Sequence, residues 1–327
     1  MNSSLRRRPL TADELSERSG VSKSTIFRYY AGQPVRPALR TAIESVLRGH
    51  DPAPGSHALN EVLIAVSPAH RSFRGYYEVI QGVVERLEPR GGHVLIVPGP
   101  ASATLCGPQG GWLILGKTLD EEAADAEALE AAGVPFVLVN RDYPEASWNS
   151  VGANLKRAAA DAVTHLLNLG HRRIAVLAER TDQFQPALRK VEGYRLAFAE
   201  AGLPVPEDLI APRETATLDE ELTGLMARGA TACFCLDDEL AFSVLRWAFQ
   251  KGLNVPGDLA VLGFNDLEPS QFFAPSLSSV RIPFRALGTA AADTLELLVD
   301  EPLRRGLRME LRHEVVVRES TGQEVSR

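Results

Sequence analysis

Side chains suited to contacting nucleic acid are concentrated near the N-terminus, in residues 20–32 (GVSKSTIFRYYAG). If a helix begins after Ser22, three- and four-residue spacing places Lys23, Ser24, Phe27 and Arg28 on one face. That face carries two cations and a hydroxyl, which are groups that contact phosphates and guanine edges in a DNA groove. The pattern favours DNA binding, with a small helical hairpin whose polar face is simply solvated as the alternative.

A second set of polar or small residues follows the apolar segments of the chain. Each of these residues comes directly after a predicted buried strand: Ser67, Gly116, Asn140, Asp237 and Asn265. In open parallel sheets, ligands bind beyond the carboxyl ends of the strands. We therefore expect these positions to lie near a ligand, although loop residues are commonly polar for other reasons.

The candidate DNA-contacting residues need a helix-turn-helix to position them. Thr11 and Glu14 have the spacing of a capping box, so a helix is predicted to start at Thr11 and to end at Gly20. A third helix is predicted from Pro37 to Gly49. The segment HDPAPGSH, residues 50–57, is rich in Pro, Gly and Ser and is typical of a linker.

From residue 61 onward, short apolar runs alternate with amphipathic stretches. The predicted strands are 62–66, 93–97, 112–116, 135–139, 173–178, 231–236 and 259–264, and the predicted helices include 72–88, 120–132, 154–169, 187–201, 237–251 and 284–299. Continuous apolar strands separated by helices predict parallel sheets covered on both faces, which is an α/β fold. The connection at 98–111 is too rich in Gly and Pro for a helix and is expected to be a bare loop that leaves one sheet face thinly covered.

Charge and composition narrow the function classes. Residues 1–50 carry nine Lys/Arg against four Asp/Glu, a balance of about +5, and the whole chain is −7. A basic N-terminus on an acidic body is typical of a chain that meets a polyanion at one end. The run Arg6-Arg7-Arg8 is expected to form an arm that contacts phosphates, with a solubilising or disordered terminus as the alternative.

Cysteine usage and the missing motifs point away from several other classes. Three cysteines and the lack of an apolar leader or membrane span favour a cytoplasmic protein. Cys233 and Cys235 alternate along one predicted strand, where core packing is favoured over metal binding. No nucleophile elbow, phosphate-binding loop or zinc-protease motif is present, so we expect no enzyme activity, no metal and no cofactor.

Several ordered blocks resemble the lactose-repressor (LacI/GalR) family of transcription regulators. They are residues 20–32, HLLNLGHRRIAVL (165–177), EGYRLAFAEAGLPVPEDL (192–209), GLNVPGDLAVLGFNDLEPSQFFAPSLSSVRIP (252–283) and VVVREST (315–321). The resemblance implies a three-helix DNA-binding headpiece and a two-lobed sensor domain of the periplasmic-binding-protein type with an effector in its cleft. It also implies a repressor that acts as a homodimer on operator DNA and responds to a sugar or sugar derivative.

Position by position, the resemblance assigns residues to two sites. The residues expected to contact DNA are Arg7, Ser22, Lys23, Ser24, Thr25, Phe27 and Arg28, with Lys23, Ser24 and Arg28 reading bases. Those expected to contact the effector are Ser67, Phe73, Gly116, Asn140, Lys190, Asp237 and Asn265. Lys190 stands where the family commonly has an arginine. For Asp237, capping of the following helix is a serious alternative to ligand contact.

Three departures from the family bear on these expectations. Lysine at position 190 lacks the planar bidentate guanidinium. The loop at 98–111 omits a helix that helps to pair the first lobes. The segment HDPAPGSHAL replaces the family's hinge helix, and its prolines and glycine predict an extended segment. We expect a headpiece at 1–49, a linker at 50–60 and a sensor domain at 61–327, with lobe 1 at 61–153 and 284–308 and lobe 2 at 154–283 and 309–327.

Overall fold

The computed structural model describes most of the chain. The described residues are 12–30, 35–48, 59–67, 74–141, 143, 146–178, 185–212, 217–300 and 304–322. The predicted helix start at Thr11 and residues 50–58 of the predicted linker lie outside them.

Three helices form a small N-terminal bundle: α1 (Ala12–Ser19), α2 (Lys23–Tyr30) and α3 (Pro37–Arg48). Their shared core is built from Leu15, Val21, Ile26 and Ile43, all of which are buried. Gly20 has a positive φ of 66°, so it makes the left-handed turn that ends α1. The Ser22 carbonyl accepts from Ile26 N at 3.0 Å and begins α2. The helix-turn-helix elements predicted from spacing are present.

Strands and helices alternate through the rest of the chain. The first elements are β1 Glu61–Val66, α4 Arg74–Leu87, β2 His93–Pro98, β3 Gly110–Leu115, α5 Leu119–Ala131, β4 Phe136–Val139, β5 Ser150–Ala153, α6 Leu155–Asn168, β6 Ile174–Ala178 and α7 Gln185–Glu200. They continue with β7 Ile210–Pro212, α8 Leu218–Ala227, β8 Ala232–Cys235, α9 Asp238–Lys251, β9 Ala260–Asn265, β10 Ser278–Arg281, α10 Phe284–Asp300, β11 Arg308–Leu311 and β12 Glu314–Val316.

The strands form two six-stranded sheets, ordered β11-β5-β4-β3-β1-β2 and β12-β10-β9-β8-β6-β7. Pairing is parallel from β2 through β5 and from β7 through β10, and β12 is antiparallel to β10. The chain divides into two compact units, Met1–Gly152 with Pro283–Leu311 and Ala153–Ile282 with Arg312–Arg327. The first sheet belongs to the first unit and the second sheet to the second. The expected α/β class with parallel sheets is confirmed.

The connection between β2 and β3 is a loop with a single 3-10 turn at Ala103–Leu105, as its composition predicted. The loop is anchored through Asp125, whose carboxylate accepts from Ala101 N at 3.0 Å and from Lys117 Nζ. Ala101 and Cys106 pack on the core cluster around Trp112, so the loop covers part of the sheet face that a helix would cover. Strand β2 nevertheless exposes Leu95 and Ile96 at 48% and 51%.

Candidate DNA-contacting and effector-binding residues

Helix α2 separates a buried face from an exposed one. Ile26 is fully buried, whereas Ser22, Lys23, Ser24 and Arg28 are exposed. Ser22 Oγ lies 3.0 Å from Ser24 Oγ and 2.9 Å from the hydroxyl of the half-buried Thr25. These hydroxyls and cations lie on the surface of the bundle, where phosphate and base contacts are possible. Arg7 and the side chain of Phe27 lie outside the described residues.

In the first unit, three predicted effector residues follow adjacent strands. Ser67, Gly116 and Asn140 come at the carboxyl ends of β1, β3 and β4, which are neighbours in the sheet. Ser67 is buried and its Oγ donates to Glu121 Oε1 at 3.5 Å. Gly116 has a φ of +69°, and a Cβ there would lie 2.5 Å from the Tyr76 ring. The sheet therefore brings these residues to one edge, while Phe73 lies outside the described residues.

A buried charged cluster at this edge was missed by the sequence analysis. Arg141, which follows Asn140, donates through Nε to Glu122 Oε1, and Tyr143 Oη donates to Glu122 Oε2 at 2.7 Å. The Arg141 and Glu122 side chains are 1% and 0% exposed. Burial raises the pKa of Tyr76, although the nearby Arg141 opposes that rise. The cluster ties α5 to the segment after β4 and so fixes the backbone on which Asn140 sits.

In the second unit, three predicted effector residues lie around the ends of β8 and β9. Lys190 is buried, and its Nζ donates to the Leu236 carbonyl at 2.6 Å. The same Nζ lies 4.1 Å from the centroid of the Phe264 ring. Leu236 directly precedes Asp237 and Phe264 directly precedes Asn265, so the ammonium group contacts the residue before each predicted polar residue. The fold brings these predicted residues together at one sheet edge.

Asp237 caps helix α9. Its Oδ1 accepts from Leu240 N at 2.7 Å, which is the capping role weighed against ligand contact in the sequence. The sequence analysis missed the next residue, Asp238, whose side chain is fully buried. Burial raises the pKa of Asp238 to about 6, even though hydrogen bonds from Ser279 and from Leu267 N favour the carboxylate. The fully buried Asp238 carboxyl group therefore holds neighbouring groups in position at the carboxyl end of the sheet. The residues next to it in the sequence did not predict this role.

In the described part of the chain, no group of three or more His, Cys, Asp or Glu side chains could hold a metal ion. No helix among the described residues is long and apolar enough to cross a membrane.

Comparisons with known proteins show what the chain is similar to. Residues 163–321 match the periplasmic binding protein-like domain. The chain is 31% identical over 332 residues to the HTH-type transcriptional regulator GntR of Pseudomonas aeruginosa, covering 95% of each protein. It is 37% identical over 202 residues to an HTH-type regulator of Streptomyces limosus, and this match covers 60% of the chain and 57% of that protein.

Solved structures of transcriptional regulators are also similar to this chain. The transcriptional regulator CelR in complex with cellobiose matches with a TM-score of 0.70 and 25% identity, covering 95% of this chain and all of that one. A putative LacI-family regulator from Sanguibacter keddieii matches with a TM-score of 0.64 and 28% identity, covering 81% of this chain and 99% of that one.

Proposed function

Because the chain belongs to the lactose-repressor (LacI/GalR) family of HTH-type transcriptional regulators, we propose that it is a DNA-binding repressor controlled by a small carbohydrate-like effector. Its headpiece comprises residues 1–49, the linker residues 50–60 and the sensor domain residues 61–327, with lobe 1 at 61–153 and 284–308 and lobe 2 at 154–283 and 309–327. The protein acts in the cytoplasm, without catalysis and without a cofactor.

The observation that carries the DNA-binding proposal is the two-faced helix α2. Its buried face holds Ile26 in the bundle core, and its exposed face presents Lys23 and Arg28. An arginine that donates two hydrogen bonds to guanine discriminates against the wrong base by about 1–3 kcal/mol. We assign base reading to Lys23, Ser24 and Arg28, and contacts elsewhere on the operator to Arg7, Ser22, Thr25 and Phe27.

Binding of the full chain to the DNA that lies upstream of its own gene tests this proposal. Arg28→Ala should weaken binding by about 1–3 kcal/mol and relax base preference at one position in each half-site. Arg246→Ala, which removes an exposed arginine from α9 in the other unit, is the matched control and should change neither the DNA affinity nor the base preference. Absence of binding by the wild type, or binding that does not depend on sequence, would instead favour the alternative, a ligand-binding sensor whose headpiece does not bind DNA specifically.

The effector proposal rests on the chemistry at the carboxyl ends of the strands. Lys190, Asp237 and Asn265 offer a cation, a carboxylate and an amide, which together suit the adjacent hydroxyls of a sugar or polyol. Ser67, Phe73, Gly116 and Asn140 are assigned to the same effector. The regulator CelR is complexed with cellobiose, so the first calorimetry panel comprises cellobiose, other sugars and sugar phosphates.

We further propose that the repressor is a homodimer. The second unit exposes Phe249 at 83% and Phe272 at 72%, and Phe242 stacks on Phe273 with ring centroids 4.4 Å apart. We call Phe242, Phe249, Phe272 and Phe273 the aromatic patch. Aromatic side chains are enriched at protein interfaces, so those exposed here suit a contact with a second copy, and a dimer matches the repeated half-sites of a repressor's operator.

A further inference from the structure

The turn that follows β9 has an unfavourable backbone conformation. Asn265 has a φ of +115° and Asp266 a φ of +53°, and neither residue is a glycine. Side-chain-bearing residues rarely adopt such angles, and these angles persist only where the surrounding structure enforces them. Asn265 is also buried, with 6% exposure. Neighbouring groups must therefore hold this turn in place.

The backbone amides after Asn265 are bound by two fully buried side chains. Asp266 N donates to Ser279 Oγ at 3.1 Å, and Ser279 Oγ in turn donates to Asp238 Oδ1 at 2.5 Å. Leu267 N donates to the other carboxylate oxygen, Asp238 Oδ2, at 2.6 Å. Asp238 and Ser279 both have 0% exposure, so each bond lies in an environment where an unmade bond is costly.

Two arginines hold the other side of the turn. The Asp266 carboxylate forms ion pairs with Arg281 at 2.7 Å and with Arg318 at 2.7 Å. Ile282 N donates to the Asn265 carbonyl at 3.4 Å. The turn is thus bound from α9, from β10 and from the C-terminal segment, which is more restraint than a surface loop needs.

Strand β9 leaves the space that the Asp238 carboxylate occupies. A Cβ built on Gly263 would lie 2.3 Å from Asp238 Oδ1 and 3.0 Å from the Leu277 side chain. Only glycine at this position lets the carboxylate reach both Ser279 and the amide of Leu267. The four residues Asp238, Gly263, Ser279 and Leu267 therefore form one unit of structure, which we call the turn clamp.

We propose that Asp238 and Ser279 are positioning residues for Asn265. They bind the two backbone amides that follow Asn265 and so fix the orientation in which the Asn265 side chain meets the effector. The inference rests on the proposed function, because only a ligand gives the orientation of Asn265 a purpose. It also separates the two adjacent aspartates: Asp237 is assigned to the effector, and Asp238 to the turn clamp.

The test needs no effector, so its failure can be told apart from failure of the proposed function. Amide hydrogen exchange and the Asn265 side-chain amide resonance are measured by NMR on the full chain, with the resonance assigned by its loss in Asn265→Ala. Ser279→Ala removes the acceptor of Asp266 N, so it should accelerate exchange at Asp266 about tenfold or more. Gly263→Ala should accelerate exchange at both Asp266 and Leu267 to a similar extent, because the added Cβ displaces the Asp238 carboxylate. Both variants should also shift the Asn265 side-chain resonance.

Two matched controls separate positioning from general destabilisation. Ser243→Ala removes an exposed hydroxyl from α9, and Gly257→Ala adds a Cβ whose nearest neighbour is 3.5 Å away. Both should leave the turn amides and the Asn265 resonance unchanged. The proposal is overturned if Ser279→Ala leaves both readouts at their wild-type values. Equal acceleration across β6 and the turn would also overturn it, since the loss would then be global.

Discussion

At the scale of single residues, Asp238 links the pH to the stability of the fold. Its pKa in the folded chain is about 6, raised mainly by burial and also by the neighbouring carboxylates Asp266 and Asp237, whereas its ordinary value is 3.8. Ser279 and Leu267 N oppose the rise. The folded protein therefore binds this proton more tightly than the unfolded chain, and the stability contributed by this group falls as the pH rises from about 4 to about 6.

Asp238→Asn should remove this pH dependence. The free energy of unfolding of the variant minus that of the wild type should rise by about 2 kcal/mol between pH 4.5 and pH 7.5, because only the wild type must bury a charge at the higher pH. Urea unfolding at both pH values measures the difference, and all other titrating groups cancel. A difference that stays constant with pH would show that Asp238 titrates near its ordinary value.

Asp237 combines a cap with a proposed ligand contact, and two substitutions separate the roles. Asp237→Ser keeps an oxygen that can accept from Leu240 N, whereas Asp237→Ala removes it and should cost about 1 kcal/mol of stability. Both remove the carboxylate, so both should weaken binding of whichever panel sugar the wild type binds in calorimetry by a similar factor. Wild-type affinity in Asp237→Ser would remove the carboxylate from the effector site.

The types of residue that follow the strands predicted which side chains lie at the carboxyl ends of the sheets. They did not predict the buried groups that hold those side chains in place. Asp237, Lys190 and Asn265 were predicted because they follow strands or match family positions. Asp238 was missed, because its partners Ser279 and Leu267 are 41 and 29 residues away and are brought to it by strand register. Long-range contacts of this kind cannot be obtained from local spacing.

At the scale of elements, two helices of the first unit approach each other through glycines. A Cβ on Gly82 of α4 would lie 1.9 Å from the Arg285 carbonyl, and one on Gly288 of α10 would lie 2.0 Å from the Val79 carbonyl. Ion pairs from Arg86 to Asp293 and Glu296 join the same two helices. The glycines set the distance between the helix axes, and the ion pairs can form because that distance is short.

Gly82→Ala should therefore destabilise the fold by more than about 2 kcal/mol, since backbone would have to move to admit the methyl group. Gly224→Ala on α8 is the matched control, because the nearest atom to its Cβ is 3.7 Å away at the end of an arginine side chain. That substitution should stabilise the protein by about 0.5–1 kcal/mol through helix propensity alone. Thermal or urea unfolding measures both, and equal effects would contradict close packing at Gly82.

The apolar pattern predicted the strands that consist mainly of apolar residues. Strands β1, β3 and β9 are six residues long and almost entirely buried, and all were predicted. Strands β5 (SVGA) and β10 (SSVR) were missed, because they are short and small or polar residues fill the positions that an apolar run would occupy. Their strand conformation comes from pairing with β4 and β9, which is a tertiary effect.

At the scale of the whole molecule, the basic charge and the exposed aromatic side chains lie in different parts of the chain. The first 50 residues carry a balance of about +5, which leaves the remainder at about −12. We therefore expect phosphate contacts at the headpiece and not at the acidic remainder of the chain. The proposed dimer needs an exposed apolar surface, which we assign to the aromatic patch of the second unit.

The proposed dimer is tested at this scale by introducing a charge into the aromatic patch. Phe249→Asp should lower the association constant by at least about a hundredfold, because a carboxylate buried in an apolar interface loses its hydration without gaining a partner. Leu169→Asp is the control, since Leu169 is also exposed, at 47%, but lies outside the aromatic patch. Sedimentation velocity over a range of concentrations should show a monomer for the first variant and a dimer for the second and for the wild type.

DNA binding by Phe249→Asp should lose its dependence on a paired half-site while keeping contact with a single one. A dimer that persists in Phe249→Asp and in Phe272→Asp would place the interface elsewhere, with the exposed β2 edge at Leu95 and Ile96 as the next surface to charge.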